Sequence, residues 1–174
     1  MELRRNWSYV IPDGEHKGKE IWSGRYAVAV AIVFCHFIDG WKVLANRRGI
    51  GCPSHIGEWN MPAGFMEWES GEEAASRECF EETGIRINPN KFLFMDVETR
   101  PKKAGNTIAL RYLAILDSVK DDIHRAIPEG GELNEVSEVQ WIDLNKIEDY
   151  TWAFNHLEVI KTFIPSLYTY IQNA

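Results

Sequence analysis

Residues 61–85 read MPAGFMEWESGEEAASRECFEETGI, a glycine-containing turn followed by a helix pattern with an acidic face. Three glutamates, Glu78, Glu81 and Glu82, stand three and four residues apart. On an α-helix this spacing places their side chains on one face. Glu78 and Glu82 are like charges one turn apart, which destabilises a helix by roughly 0.2–0.5 kcal/mol. A bound cation would reverse that repulsion, and carboxylate oxygens suit Mg²⁺ or Mn²⁺ better than zinc.

Both ends of this helix have clear sequence signals. Ser70 is a natural N-cap, and Glu73 three residues later completes a capping box. Gly84 is placed to end the helix in a left-handed conformation. Before the helix, Gly64 closes a turn whose backbone can approach a ligand closely. By spacing alone, a solvated acidic surface is the more common explanation of the glutamates.

The longer pattern favours a functional site. Residues 77–85, RECFEETGI, resemble the second half of the Nudix box, R-E-U-x-E-E-x-G-U, in which U is apolar. Glu69 lies eight residues before Arg77, where the box has its leading glutamate. A weaker resemblance to the Nudix hydrolases extends over about residues 24–149. It implies an α+β fold, an α/β/α sandwich around a mixed β-sheet, and Mg²⁺-dependent hydrolysis of a nucleoside diphosphate linked to another group.

The resemblance also implies roles for the helix residues. The metal ligands would be three carboxylates and one backbone carbonyl, from Glu78, Glu81, Glu82 and Ala63. Arg77 would orient the glutamates through an ion pair, with Glu69 as its partner. The substrate would be a nucleotide sugar, ADP-ribose, a dinucleotide or a modified nucleoside triphosphate, and the sequence does not choose among them.

The general base is expected outside the helix, because the helix glutamates are committed to metal. In some Nudix proteins the base comes from the loop before the last strand. Here that loop offers Glu129, Glu132 and Glu135, and Glu135 is our candidate.

Three further residues are candidates for substrate binding. Arg47 and Arg48 end a predicted strand, where they would either meet a substrate phosphate or remain solvated. Trp59 lies in the approach to the helix and would either stack on a base or pack in the core. Cys52 and His55 are expected to pack within a loop, because no third partner for a metal or catalytic site accompanies them. His156 lies among apolar residues of the C-terminal helix pattern and is expected to be a structural histidine.

One departure from the family pattern concerns the turn. The Nudix box has five residues between its glycine and its leading glutamate, whereas four separate Gly64 from Glu69. Because the capping box fixes the helix start locally, we expect the helix to stay, the turn to tighten and the three helix glutamates still to converge.

Composition indicates one soluble domain of 174 residues, with a 1–23 N-terminal extension and a 151–174 helical segment. The net charge of −7 argues against nucleic-acid binding but permits a small nucleotide substrate. Three irregularly spaced cysteines favour a reducing compartment. The sequence shows no secretory signal and no membrane-spanning run, so we expect a cytoplasmic protein.

Hydrophobic patterning predicts the remaining elements. The segments 7–11 and 19–22 predict an N-terminal hairpin, which could build a homodimer face or pack on its own core. Apolar runs predict strands over residues 26–38, 41–47, 92–99, 107–116 and 136–144, with the fourth antiparallel to the first. Asp39-Gly40 is a predicted hairpin turn. Residues 151–173 predict an amphipathic helix that Pro165 kinks or splits.

Two other functions deserve comparison with hydrolysis. The first is a catalytically weak Nudix-like module that binds a nucleotide or metabolite, which the intact glutamates disfavour. The second is the isopentenyl diphosphate isomerase branch, whose cysteine-glycine-histidine motif is replaced here by Ala63-Gly64-Phe65. The missing cysteine makes the isomerase the weaker alternative.

Overall fold

The computed structural model describes residues 8–10, 14–22, 24–100, 106–124 and 134–173. In these segments the chain forms nine strands: β1 (Ser8–Val10), β2 (Glu20–Trp22), β3 (Tyr26–Phe37), β4 (Gly40–Arg48), β5 (Trp59–Asn60), β6 (Ala63–Phe65), β7 (Leu93–Glu98), β8 (Thr107–Asp117) and β9 (Val136–Asp143). The same segments contain two α-helices, α1 (Gly71–Thr83) and α2 (His156–Asn173). Short 3₁₀ turns lie at Pro89–Lys91 and Ile147–Asp149.

Seven strands form one mixed sheet around β3. Its main order is β5-β4-β3-β8-β7, with β6 added to β3 and β9 added to β4. Strand β3 is central because its sequence is a nearly continuous apolar run, and it is buried from Ala29 to Cys35. The site described below is built at the point where β4 and β6 meet α1.

A helix covers each face of the sheet. On one face, Ala74, Ala75 and Cys79 of α1 pack against the sheet, where their small side chains let the helix lie close. On the other face, α2 contributes Ile160 and Phe163 to a second core. This confirms the α+β sandwich around a mixed sheet.

The prediction that the strand over 107–116 is antiparallel to the first is wrong. Strand β8 pairs parallel with β3, in a register that runs from Tyr26↔Thr107 to His36↔Asp117. The chain between the two strands contains α1 on one face and then β7, which pairs antiparallel with β8. A crossover with a helix is the connection that parallel neighbours need, and hydrophobic patterning carries no information on strand direction.

The other predicted strands and the C-terminal helix match their predicted extents closely, with two local differences, whereas the short strands β5 and β6 were not predicted. The hairpin between β3 and β4 turns at residues 38 and 39 rather than at Asp39-Gly40, since Phe37 pairs with Gly40. Helix α2 begins at His156 rather than near residue 151. The reason is that the backbone of residues 151–153 pairs with Trp59, which donates to Thr151 O and accepts from Ala153 N.

The prediction that Pro165 splits α2 is wrong. The helix continues through this residue to Asn173. Pro165 is exposed, and water can replace the backbone hydrogen bond that proline removes.

The N-terminal hairpin is present as a separate two-stranded antiparallel sheet of β1 and β2, with Ser8 opposite Trp22. Residues 11–13, which follow β1, lie outside the described residues. A role in dimer formation, like the division of the chain at residues 23 and 151, stays a prediction. Among the described residues, no helix is both long and apolar enough to cross a membrane.

Candidate active site

The acidic helix begins where its capping signals place it. Ser70 Oγ accepts a hydrogen bond from Glu73 N at 3.2 Å, and Glu73 Oε2 accepts one from Ser70 N at 2.8 Å. Gly84 ends the helix with φ of 74°, a left-handed conformation that favours glycine. The shortened turn therefore leaves the helix start unchanged, as predicted.

The glycine turn packs directly against the helix. Strand β6 pairs with β3, which places Gly64 opposite Ala29 and beneath α1. A Cβ built on Gly64 would lie 2.2 Å from Glu78 Oε1, closer than real Cβ contacts come. Any side chain here would displace the end of the Glu78 side chain, so the glycine lets the buried Glu78 carboxyl lie close to the β6 backbone.

Arg77 connects the turn with two of the helix glutamates. Its Nη1 donates to Glu78 Oε1 at 2.6 Å and to Glu81 Oε2 at 2.8 Å. Its Nη2 donates to Glu69 Oε1 at 2.7 Å and to Phe65 O at 2.9 Å. Hydrogen bonds to Glu69 above all, and then to Glu78 and Glu81, raise the pKa of Arg77, so the guanidinium stays charged. The expected Arg77–Glu69 ion pair is present.

Glu82 is held from a different side. Its Oε2 accepts hydrogen bonds from Asn46 Nδ2 at 2.6 Å and from Ala63 N at 3.2 Å. The residue as a whole is half-buried. Desolvation, helped by the charge of nearby Glu78, raises the pKa of Glu82 to about 8. Desolvation also raises the pKa of Glu78. Two poorly solvated carboxyls therefore lie near one another, an arrangement that a cation would stabilise.

The three glutamates do not converge in the way that the sequence predicted. In the part of the chain that the structure describes, no three Asp, Glu, His or Cys side chains are arranged to hold a metal ion. The physical reason is that Arg77 engages Glu78 and Glu81, while Asn46 and Ala63 engage Glu82.

The residues nevertheless fit a hard divalent cation in their chemistry. All the candidate donors are oxygens, which Mg²⁺ and Mn²⁺ prefer. The Glu81 side chain is 50% exposed, so its carboxyl can rotate away from Arg77 without repacking the core. Ala63 lies at the site through its N–H, and its predicted contact between carbonyl and metal stays a prediction.

Glu135 lies immediately before β9, next to the loop that follows β4. Its backbone carbonyl accepts hydrogen bonds from Gly49 N at 2.6 Å and from Cys52 Sγ at 3.2 Å. Burial raises the pKa of Cys52, and the charges of Glu135 and Glu82 both add to this effect, so both carboxylates lie near this thiol. Glu129 and Glu132 lie outside the described residues. The catalytic role of Glu135 stays a prediction.

The candidate substrate-binding residues differ in their surroundings. Arg47 Nε donates to Gly57 O at 2.8 Å, and Arg48 Nε donates to Ser54 O at 3.0 Å. The positive charge of Arg48 lowers the pKa of Glu82 slightly, against the larger effect of desolvation. Trp59 is only 7% exposed and packs edge-to-face on Tyr150. Its position matches the core alternative, and substrate binding by all three residues stays a prediction.

His156 and His55 make structural contacts. Met61 N donates to His156 Nδ1 at 3.0 Å, and burial, with smaller effects from nearby arginines, lowers the pKa of His156 to about 3. His55 Nδ1 lies 2.8 Å from Glu58 Oε2, and its ring packs on Phe154.

Sequence reasoning missed Asn46. This residue is 1% exposed on β4, and its side chain contacts Glu82, which is 36 residues away in the chain. A signal was available, because Asn46 is a polar residue that directly follows the apolar run Val43-Leu44-Ala45. Strand alternation alone could not name its partner.

Comparison with known proteins agrees with the acidic helix and the sandwich around it. The profile of the NUDIX domain matches residues 25–163. The chain belongs to the NUDIX family. The match includes β3 through the first part of α2, and with it every residue of the site described above.

Named relatives and solved structures extend this assignment. The chain is 32% identical over 90 residues to phosphatase NudJ of Escherichia coli K12, an alignment that covers 51% of this chain and 54% of NudJ. The chain thus spans about half the length of the curated relatives it matches. The NUDIX domain of Shewanella oneidensis NrtR, solved with ADP ribose, superposes with a TM-score of 0.70 and 21% identity, covering 83% of this chain and 89% of that one.

A third similarity is to a bifunctional NMN adenylyltransferase/ADP ribose pyrophosphatase from Francisella tularensis, solved with AMP and a Mn ion. The TM-score is 0.66 at 21% identity, over 83% of this chain and 42% of that chain. At such identities these two structures establish the shared fold.

Proposed function

We propose that this protein is a divalent-metal-dependent Nudix pyrophosphohydrolase that cleaves the diphosphate linkage of a nucleoside diphosphate joined to another group. The observation that carries the proposal is the pair of poorly solvated carboxyls, Glu78 and Glu82, held on the glycine turn of β6. Arg77 already binds Glu78, whereas the donors to Glu82 are neutral, so a divalent cation held by the two carboxyls would offset the cost of their burial.

Mg²⁺ or Mn²⁺, when bound, neutralises phosphate charge and lowers the pKa of a coordinated water. Glu78, Glu81 and Glu82 would hold it, with the carbonyl of Ala63. The chain's own contribution is to place these oxygens on two neighbouring elements, α1 and β6, and the exposed Glu81 carboxyl would turn away from Arg77 to complete the set.

Arg77 acts as the organiser of this face. It ties the turn to the helix through Phe65 O and Glu69, and it sets the rotamers of Glu78 and Glu81 through direct hydrogen bonds. Glu135 would accept the proton of the attacking water. Arg47 and Arg48 would meet substrate phosphates, and Trp59 would support the substrate from the core.

The family and the charge of the protein support this substrate class. The NrtR domain was solved with ADP ribose and the Francisella protein with AMP and a Mn ion, which supports an adenosine diphosphate derivative. Nucleotide sugars, dinucleotides and modified nucleoside triphosphates belong to the same chemical class. A net charge of −7 favours such small nucleotides over a nucleic acid polymer. Cytoplasmic location and a homodimer are further parts of the proposal.

A catalytically weak nucleotide-binding module is the second candidate. It is favoured by the turn, which is one residue shorter than the Nudix box, and by the engagement of Glu78 and Glu81 by Arg77. Under this alternative the protein would bind a nucleotide without turnover.

A substrate panel with identified products separates the two candidates. Purified protein is incubated with ADP-ribose, nucleotide sugars, dinucleotides and nucleoside triphosphates, each with Mg²⁺, with Mn²⁺ and with excess EDTA. If the protein is a hydrolase, we expect a nucleoside monophosphate, or pyrophosphate from a triphosphate, only in the samples that contain metal. Binding of a nucleotide by calorimetry without any product would support the binding module instead.

A further inference from the structure

Asn46 is an unusual residue for its place in the fold. It lies on β4 next to the core strand β3, and only 1% of it is exposed. Its Nδ2 donates to Glu82 Oε2 at 2.6 Å, a short hydrogen bond of the charge-assisted kind when Glu82 is ionised.

Keeping an asparagine at this position is costly for the fold. Its Oδ1 is buried and accepts no hydrogen bond from the described residues. Burying such an oxygen without a partner destabilises a protein by about 1–3 kcal/mol. An apolar residue, like the neighbouring Leu44 and Ala45, would avoid that cost. The side-chain hydrogen bond that Asn46 does make within the described chain is the one to Glu82.

The geometry around Glu82 shows what the contact achieves. Asn46 reaches the carboxyl from β4, and Ala63 N reaches it from β6, at 3.2 Å. Both donors bind the same oxygen, Oε2. Within the described part of the chain, Oε1 accepts no hydrogen bond, so the two donors fix the carboxyl and leave one oxygen for a ligand.

We propose that Asn46 is a positioning residue that orients the Glu82 carboxyl so that its second oxygen binds the divalent cation. The inference rests on the proposed metal-dependent function. Residues that hold metal ligands in this way typically change metal affinity or activity by 10–100-fold when they are mutated.

Asn60 provides a matched control. It is also an asparagine, 2% exposed, it lies opposite Asn46 in the β4–β5 pair, and its Oδ1 likewise has no partner among the described residues. Its Nδ2, however, donates to the backbone oxygen of Met61 rather than to a glutamate. Truncation of either residue removes the same atoms from a similar environment.

The first experiment measures Mn²⁺ affinity of the substrate-free protein by calorimetry for the wild type, Asn46→Ala and Asn60→Ala. We expect Asn46→Ala to weaken binding about tenfold and Asn60→Ala to change it less than about twofold, while both lower thermal stability. Equal effects of the two variants on Mn²⁺ affinity would overturn the inference. If Asn46→Ala does not fold, Asn46→Thr replaces it. A wild-type Mn²⁺ affinity in Asn46→Thr overturns the inference when the second experiment shows that the threonine hydroxyl has not replaced the donor to Glu82.

The second experiment is a double-mutant cycle in EDTA with Asn46→Ala (or Asn46→Thr), Glu82→Ala and the double variant, followed by denaturant unfolding. If Asn46 holds Glu82, the effects of Asn46→Ala and Glu82→Ala on the unfolding equilibrium constant differ from additivity by about tenfold. Additive effects would overturn the contact. Coupling without any Mn²⁺ binding by the wild type would support the contact and overturn the metal function instead, so the two failures are distinguishable.

Discussion

Gly64 and Glu78 are in direct contact: a Cβ built on Gly64 would lie 2.2 Å from Glu78 Oε1 and 2.3 Å from its Oε2. The two residues lie 14 positions apart, on β6 and α1. Their contact places the shortened turn directly against the Glu78 carboxyl on the helix. Because of this contact, even the methyl group of an alanine at position 64 would disturb the site.

Gly64→Ala is expected to reduce turnover by roughly a hundredfold, because the Glu78 carboxyl must move by about an ångström or more. Stability is expected to change little, with a thermal midpoint lower by about 2–4 °C, because the clashing atoms are the end of a flexible side chain. Steady-state kinetics and thermal unfolding measure the two effects. Gly24→Ala is the control, since a Cβ there meets nothing within 4 Å. Wild-type turnover in Gly64→Ala would contradict the importance of the contact.

Insertion of a glycine between Trp68 and Glu69 restores the length of the Nudix box. Because Glu69 already binds Arg77 at 2.7 Å and the helix cap is intact, the insertion is expected to be neutral or harmful. The measurement is kcat/KM on the substrate identified in the panel. A large gain in rate would show that the native turn is misaligned and that the chain is a weakened family member.

Glu135→Gln is expected to lower kcat by roughly 10²–10⁴-fold if this residue is the general base. Mn²⁺ affinity should remain nearly unchanged, because the side chain is assigned to the water rather than to the metal. Turnover and calorimetry are measured on the same preparation. Undiminished turnover, or a parallel loss of metal affinity, would remove Glu135 from this role.

His156 is expected to make the fold acid-sensitive. Its pKa in the folded protein is about 3, below its ordinary value of 6.5, so the unfolded chain takes up the proton first. Its contribution to stability is therefore complete above about pH 6.5 and is lost as the pH falls toward 3. His156→Asn keeps an acceptor for Met61 N but does not titrate.

The urea midpoints of the two proteins at pH 7 and pH 5 test this prediction. The wild type should lose more stability between these values than His156→Asn, even though the variant is less stable at pH 7. Equal losses would show that His156 does not control the acid response.

The local features of the site could be predicted from the sequence, because the signals that fix them lie within a few residues of one another. The capping box, the terminal Gly84 and the spacing of the glutamates belong to this class. The extents of β3, β4 and β8 also followed from their apolar runs, since consecutive residues in the middle of each strand are buried.

The features that the sequence did not reveal depend on contacts between distant segments. The parallel pairing of β3 with β8 depends on the path of the intervening chain. The contact between Asn46 and Glu82 joins a strand to a helix, and the bridging of Glu78 and Glu81 by Arg77 depends on side-chain rotamers. Spacing predicted a shared face correctly, but it could not predict which partners each carboxylate would find there.

The most direct test of the metal-dependent mechanism is hydrolysis rate as a function of Mg²⁺ concentration for the wild type, Glu81→Gln, Glu82→Gln and Glu72→Gln. Glu72 lies in the first turn of α1, outside the acidic face, and serves as the matched control. We predict that excess EDTA abolishes wild-type activity, that Glu81→Gln and Glu82→Gln each lower the rate by roughly a hundredfold or more, and that Glu72→Gln behaves like the wild type. Equal activity in EDTA, or wild-type rates in either Glu81→Gln or Glu82→Gln, would contradict the mechanism.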